Sequence, residues 1–160
     1  RVEDTDDGML DEVLDLHVKA PIRLARAALP AMKQRGAGTI VQLASSAGLR
    51  GFPFVSAYVM AKHAMVGLTR ALATELPSGL RTYAVCPGFV DTEITRSAAA
   101  AIAERSRRPL PAVLEQFAQM NRIGRLHTAD EVASAVAQLV DPAAEPDGPA
   151  SGTVIDLDSP

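Results

Sequence analysis

Apolar positions in the first part of the chain fall on one broad stripe. Val13, Leu14, Leu16, Leu24, Ala25, Ala28, Leu29 and Met32 recur at helical spacing, which predicts a single helix over residues 9–35. Asp11 and Glu12 suit the negative start of such a helix, and Asp6-Asp7-Gly8 reads as a turn before it. Pro21 and Pro30 lie inside the pattern and should kink it, because proline removes a backbone donor. A break into two helices at Pro21 is the alternative. The period then changes. Residues 39–43 (Thr-Ile-Val-Gln-Leu) form a short β-branched run of the kind buried in parallel sheets, and small residues follow at 44–48. Ala57, Ala61, Ala64, Met65, Leu68 and Leu72 restore helical spacing over 56–76, with Ser56 as N-cap. A second strand at 81–86 runs into Pro87-Gly88. Short helices are expected at 97–103 and 112–120. Thr128 and Glu131 are spaced as a capping box for a helix from Ala129, whose apolar face is Val132, Ala135, Val136, Leu139 and Val140. A Pro/Gly/Ala-rich loop at 141–151 and a last strand at 153–157 complete the pattern. Strands alternating with helices predict an α/β fold with a parallel sheet.

Chemistry concentrates between residues 39 and 93. Tyr58 and Lys62 are four apart and share one helix face. A tyrosine of ordinary pKa, near 10, is a poor acid or base at neutral pH. An ammonium about 4 Å away, at an effective dielectric of about 20, favours the phenolate by at most about 4 kcal/mol. That upper bound would bring the phenol near neutrality, where it exchanges protons with a carbonyl or alcohol oxygen. Ser45 stands at the carboxyl end of the preceding strand, where open α/β sheets place their ligands. Its hydroxyl could hold the same oxygen.

The ordered set Ile40-Val41-Gln42-Leu43-Ala44-Ser45-Ser46-Ala47-Gly48, Tyr58-Val59-Met60-Ala61-Lys62 and Val85-Cys86-Pro87-Gly88 resembles the short-chain dehydrogenase/reductase family over nearly the whole chain. The resemblance implies a Rossmann-like, doubly wound parallel sheet and hydride transfer between NAD or NADP and a carbonyl or alcohol substrate. It implies that Tyr58 is the acid/base, that Lys62 holds the nicotinamide ribose and tunes Tyr58, and that Ser45 orients the substrate oxygen. Ser45, not Ser46, stands at the family's distance from the tyrosine. Pro87, Gly88, Val90 and Thr92 would line the nicotinamide. His17 stands where the family often has an asparagine that supports a proton relay beside the lysine, and could serve there; a partly buried histidine bonded to a carbonyl is the competing reading. Residues 93–121 correspond to the family's substrate lid. The helices at 9–35 and 56–76 correspond to the interface of a homodimer or homotetramer. Tyr83 replaces a common asparagine, and Asp158-Ser159-Pro160 replaces an Asp-Gly-Gly segment.

One departure is large. Gly36-Ala37-Gly38 lies between a helix and a strand, whereas a dinucleotide fingerprint follows a strand and opens a helix. It reads as a helix stop. No other glycine-rich fingerprint occurs in the 160 residues. The chain is therefore expected to be one partial domain over 1–160, the N-terminally incomplete C-terminal part of such an enzyme and inactive by itself. A non-catalytic dimerising remnant is the alternative. A serine hydrolase is disfavoured, because no Gly-x-Ser-x-Gly elbow surrounds Ser45 or Ser46.

Composition narrows the rest. A 48% hydrophobic chain can bury a core, and a net charge of −3 with pI about 5.6 argues against nucleic acid as a partner. The single cysteine, Cys86, excludes an internal disulfide and is expected to pack as a small hydrophobe. His17, His63 and His127 are not grouped with carboxylates at metal-ligand spacing, so no metal is expected. Arg105, Arg107 and Arg108 read as a solvated helix end. With no membrane-spanning run and no leader, a cytoplasmic enzyme is expected.

Overall fold

Three strands, β1 (Gly38–Leu43), β2 (Leu80–Cys86) and β3 (Val154–Asp156), form a parallel sheet in the order β1-β2-β3. The computed structural model describes residues 1–140 and 148–159; residues 141–147 of the expected loop, and Pro160, lie outside the described residues. Gly38 pairs with Leu80 and Leu43 with Val85, so β1 and β2 end side by side. Among the described residues, β1 has no strand on its outer side.

The alternation of side chains along β2 divides the core into two layers. Ala84 and Cys86 face α3 (Ser56–Glu75) and pack with Met65, Val66 and Ala44. Tyr83 and Val85 face the other side and pack with Leu139, Ala135 and Val136 of α6 (Ala129–Val140). Helices on both faces of a parallel sheet are the doubly wound arrangement expected. Tyr83 is 1% exposed, and its hydroxyl donates to the Pro149 carbonyl at 2.9 Å. Cys86 is fully buried, and burial pushes its thiol up to about 11, so it packs as a small hydrophobe.

The N-terminal helical path departs from the expected single kinked helix. It starts earlier, with α1 (Asp7–Leu14), and Asp6 caps it by accepting from the Met9 amide at 2.7 Å. Asp6-Asp7-Gly8 is thus a helix start rather than a turn, and Asp11 and Glu12 sit inside α1. The path does not break at Pro21. It passes through one π turn, Asp15–Lys19, into α2 (Ala20–Arg35). Pro21 lacks the N–H that an α-helix would direct at the His17 carbonyl, and the wider turn accommodates that loss. Gly36 then ends α2 in the left-handed region, φ 73°, as a helix stop requires.

α3 also corrects an expectation. Ser56 is its first residue, and the cap position belongs to Val55, which makes no capping bond. The two helices between β2 and α6 are longer than the pattern indicated: α4 (Glu93–Ser106) and α5 (Leu110–Met120) pack through Ala99, Ala103, Val113 and Phe117. The capping box on α6 forms in both directions: Glu131 N donates to Thr128 Oγ1 at 3.1 Å, and Thr128 N to Glu131 Oε2 at 2.7 Å.

Candidate active site

Ser45 follows β1 in extended backbone and opens a 3-10 turn, Ser46–Gly48, with its Oγ accepting from the Ala47 amide at 3.1 Å. That turn lies directly on α3. A Cβ added at Gly48 would meet the Lys62 carbonyl oxygen at 2.7 Å, so only glycine permits the approach. The approach sets Ser45 against the helix that carries Tyr58 and Lys62. The Ser46 amide donates to the Pro87 carbonyl at 2.8 Å, which ties the serine turn to the end of β2.

Four expected residues converge here. The Ser45 side chain lies close enough to Tyr58 to act on its phenol. The Lys62 ammonium lies 5.5 Å from the centre of the Tyr58 ring, and the His17 ring meets that ring edge-on at 5.5 Å and 84°. His17 reaches Tyr58 from the π turn, which packs against α3. Lys62 is only 6% exposed; its Nζ donates to the Leu43 carbonyl at 3.1 Å, with Met65 Sδ at 3.6 Å.

Burial sets the direction of each shift in this cluster. Burial holds the Tyr58 phenol above its ordinary value, and the polar Ser45 side chain opposes this only in part. Lys62 Nζ donates to the Leu43 carbonyl, and desolvation of the phenolate is the larger influence on the phenol. Burial likewise lowers Lys62. His17 is lowered by burial first and by the Lys62 charge second, so it is neutral at pH 7.

The remaining expected residues lie along the chain that follows β2. Pro87 is buried beside the serine turn, and Gly88 is half-buried. Val90 forms a parallel bridge with His127. Thr92 caps α4, its Oγ1 accepting from the Thr95 amide at 3.4 Å. Arg50, Asn121 and His127 went unnoticed in sequence as part of this region, and Asp158 was marked there only as the start of the segment that replaces Asp-Gly-Gly. Asn121, His127 and Asp158 are at most 3% exposed, and Arg50 is half-buried. No local motif marks them, because they meet only through the tertiary fold. Among the described residues no group of three His, Cys, Asp or Glu side chains could hold a metal, and no helix is long and apolar enough to cross a membrane.

The family model described as enoyl-(acyl carrier protein) reductase matches residues 1–158, and the chain belongs to the short-chain dehydrogenase/reductase family. It is similar to the uncharacterized oxidoreductase YmfI of Bacillus subtilis, 36% identical over 140 residues, which cover 87% of this chain and 53% of that protein. It is also similar to D-beta-hydroxybutyrate dehydrogenase of Rhizobium meliloti, 38% identical over 95 residues, 59% of this chain and 37% of that one. Among solved structures, an actinorhodin polyketide ketoreductase variant with NADPH superposes with TM-score 0.88 at 28% identity, covering 98% of this chain and 60% of that one. The chain spans about half the length of the curated relatives it matches.

Proposed function

We propose that this chain supplies the proton-transfer and substrate-orienting half of an NAD(P)-dependent oxidoreductase acting on a carbonyl or alcohol. One observation carries the reading: Ser45, Tyr58, Lys62 and His17 come from three separate elements yet meet around one phenol.

The residues fit a nicotinamide ribose. Lys62 Nζ has three donors and one oxygen partner within hydrogen-bond distance, the Leu43 carbonyl, which leaves donors for ribose hydroxyls. When bound, the dinucleotide supplies or accepts the hydride. Everything else is this chain's task. Ser45 Oγ accepts from the Ala47 amide, so its own proton is free to donate to the substrate oxygen or to Tyr58. The Tyr58 phenol, held protonated by burial, is set up to give its proton to a carbonyl oxygen in the reductive direction. Lys62 holds its ammonium beside the phenolate that results. Neutral His17, at the edge of the Tyr58 ring, can accept and release a proton and stands on the route by which Tyr58 is reprotonated. Pro87, Gly88, Val90 and Thr92 would face the nicotinamide, and the segment 93–121, packed through its own α4–α5 cluster, would act as substrate lid.

The quaternary reading is a homodimer or homotetramer through the helical path 9–35 and the helix 56–76. These elements leave Met9, Leu16, Leu24 and Met60 about half or more exposed. An apolar groove between α2 and α3, lined by Ile22, Leu29, Leu68 and Leu72, lies away from Tyr58.

The test is oxidation of NADH and NADPH, followed by absorbance, in an active enzyme carrying this chain, against a panel of carbonyl compounds. Carbonyl-dependent turnover that Tyr58→Phe abolishes supports the reading. Turnover untouched by that substitution overturns it.

A further inference from the structure

The loop after β2 is held by a side chain that bonds its backbone in both directions, as a neighbouring strand would. Phe89 N donates to Asn121 Oδ1 at 2.7 Å, and Asn121 Nδ2 donates to Phe89 O at 2.9 Å. The same Nδ2 donates to the Arg125 carbonyl at 2.7 Å, so the amide is fully engaged while 3% exposed. Gly88 makes the fit possible: a Cβ there would collide with Asn121 Oδ1 and stand 3.1 Å from Asp158 Cγ. On the far side, His127 N donates to Phe89 O at 2.9 Å and Asp91 N to His127 O at 2.8 Å. The chain therefore leaves for α4 and returns from α5 between two fixed feet.

Asp158 locks the returning foot. It is 1% exposed, accepts from Arg50 Nη2 at 2.5 Å and from the Arg122 amide at 2.8 Å. Arg50 Nη2 also donates to the Met120 carbonyl at 3.2 Å. One buried carboxylate thus joins the end of the serine turn, the end of α5 and the chain after β3. A buried carboxylate stripped of its cation is costly, so the pair acts as a unit.

We propose that Asn121 is a positioning residue for Gly88–Val90, and that the Arg50–Asp158 pair holds it in register with the serine turn. The functional part rests on the reading that this loop faces the dinucleotide. Movement of the α4–α5 segment is then stopped at Asn121 and does not reach Gly88.

The test is amide hydrogen exchange and dinucleotide titration on the active enzyme, comparing wild type with Asn121→Ala, Asn121→Asp and Arg50→Gln. The Asp variant is isosteric but turns acceptors toward the Phe89 and Arg125 carbonyls, so it should bind the dinucleotide no better than Ala. Asn121→Ala should speed exchange of the Phe89 amide about tenfold or more, the scale of one lost buried hydrogen bond, while Asn121→Asp keeps an acceptor for that amide and loses the donor to the Phe89 and Arg125 carbonyls. Both should weaken NADH or NADPH binding. Arg50→Gln, at a partly exposed side chain, should fold and should speed exchange at Arg122 and Phe89. Unchanged exchange at Phe89 in Arg50→Gln, or in Asn121→Ala where it folds, overturns the proposal. Faster exchange with unchanged dinucleotide affinity overturns the link to the site. Wild-type enzyme that binds no dinucleotide refutes the proposed function instead, and the exchange data still decide whether Asn121 positions the loop.

Discussion

At the scale of single residues, the phenol of Tyr58 is governed by two opposed influences, burial that raises it and the Ser45 side chain that lowers it. Removing the hydroxyl and keeping the ring isolates its role: Tyr58→Phe should cut turnover by about 10²-fold or more, the scale of general acid–base catalysis, with cofactor affinity little changed. Steady-state kinetics and a binding titration on the purified variant check both halves. Lys62→Met removes the one cation beside the ring. Cofactor binding should weaken, and the pKa governing activity should rise, because the phenolate loses a favourable charge. A pH–rate profile and a dissociation constant that both stay put would rule out both roles. The spacing of Tyr58 and Lys62 was readable in sequence because four residues is one helical turn. The direction of the phenol's shift was not, because desolvation depends on residues far away in sequence that cover it.

At the scale of elements, the helices and strands were readable wherever one face is apolar and the chain is punctuated by Gly36 or Pro87-Gly88. Their register was less so. The π turn at Asp15–Lys19 carries the same apolar stripe as an α-helix, and periodicity does not separate the two. That turn matters because His17 sits within it and meets Tyr58. His17 is held below its ordinary value by burial, so the unfolded chain binds more protons at mildly acidic pH. Stability from this group is complete above about 6.5 and is lost as pH falls toward the lowered folded value. His17→Asn should therefore flatten the rise of Tm with pH below about 6.5, while leaving it unchanged at pH 8; thermal melts across that range measure this. A variant that keeps the wild-type slope would show that another group supplies it. The capping box offers a second element-scale test. Thr128→Ala removes the acceptor of the Glu131 amide and should cost about 1 kcal/mol in urea unfolding, with no effect on catalysis.

At the scale of the whole molecule, two surfaces compete to direct association. One is the outer edge of β1, unpaired among the described residues, with Leu43 half exposed at its end. Open edges invite pairing with other chains. The other is the surface of the helical path 9–35 and the helix 56–76, where the large apolar side chains Leu16, Leu24 and Met60 are exposed. The helical interface was expected by resemblance alone; the relative weight of the two surfaces was not readable, because it depends on how much of each the tertiary fold leaves uncovered. The two predict different responses to charge. Leu16→Glu with Leu24→Glu places carboxylates on the helical face and leaves β1 untouched. If the helices make the interface, size-exclusion chromatography with light scattering should show the mass of the purified protein falling toward that of a monomer. Thermal unfolding should then become independent of protein concentration, since dissociation no longer accompanies it. Thr39→Lys, a charge placed on β1, should leave that mass unchanged. The reverse pattern, loss of association with Thr39→Lys and none with the leucine pair, would assign self-association to the strand edge and remove the helical interface from the functional reading.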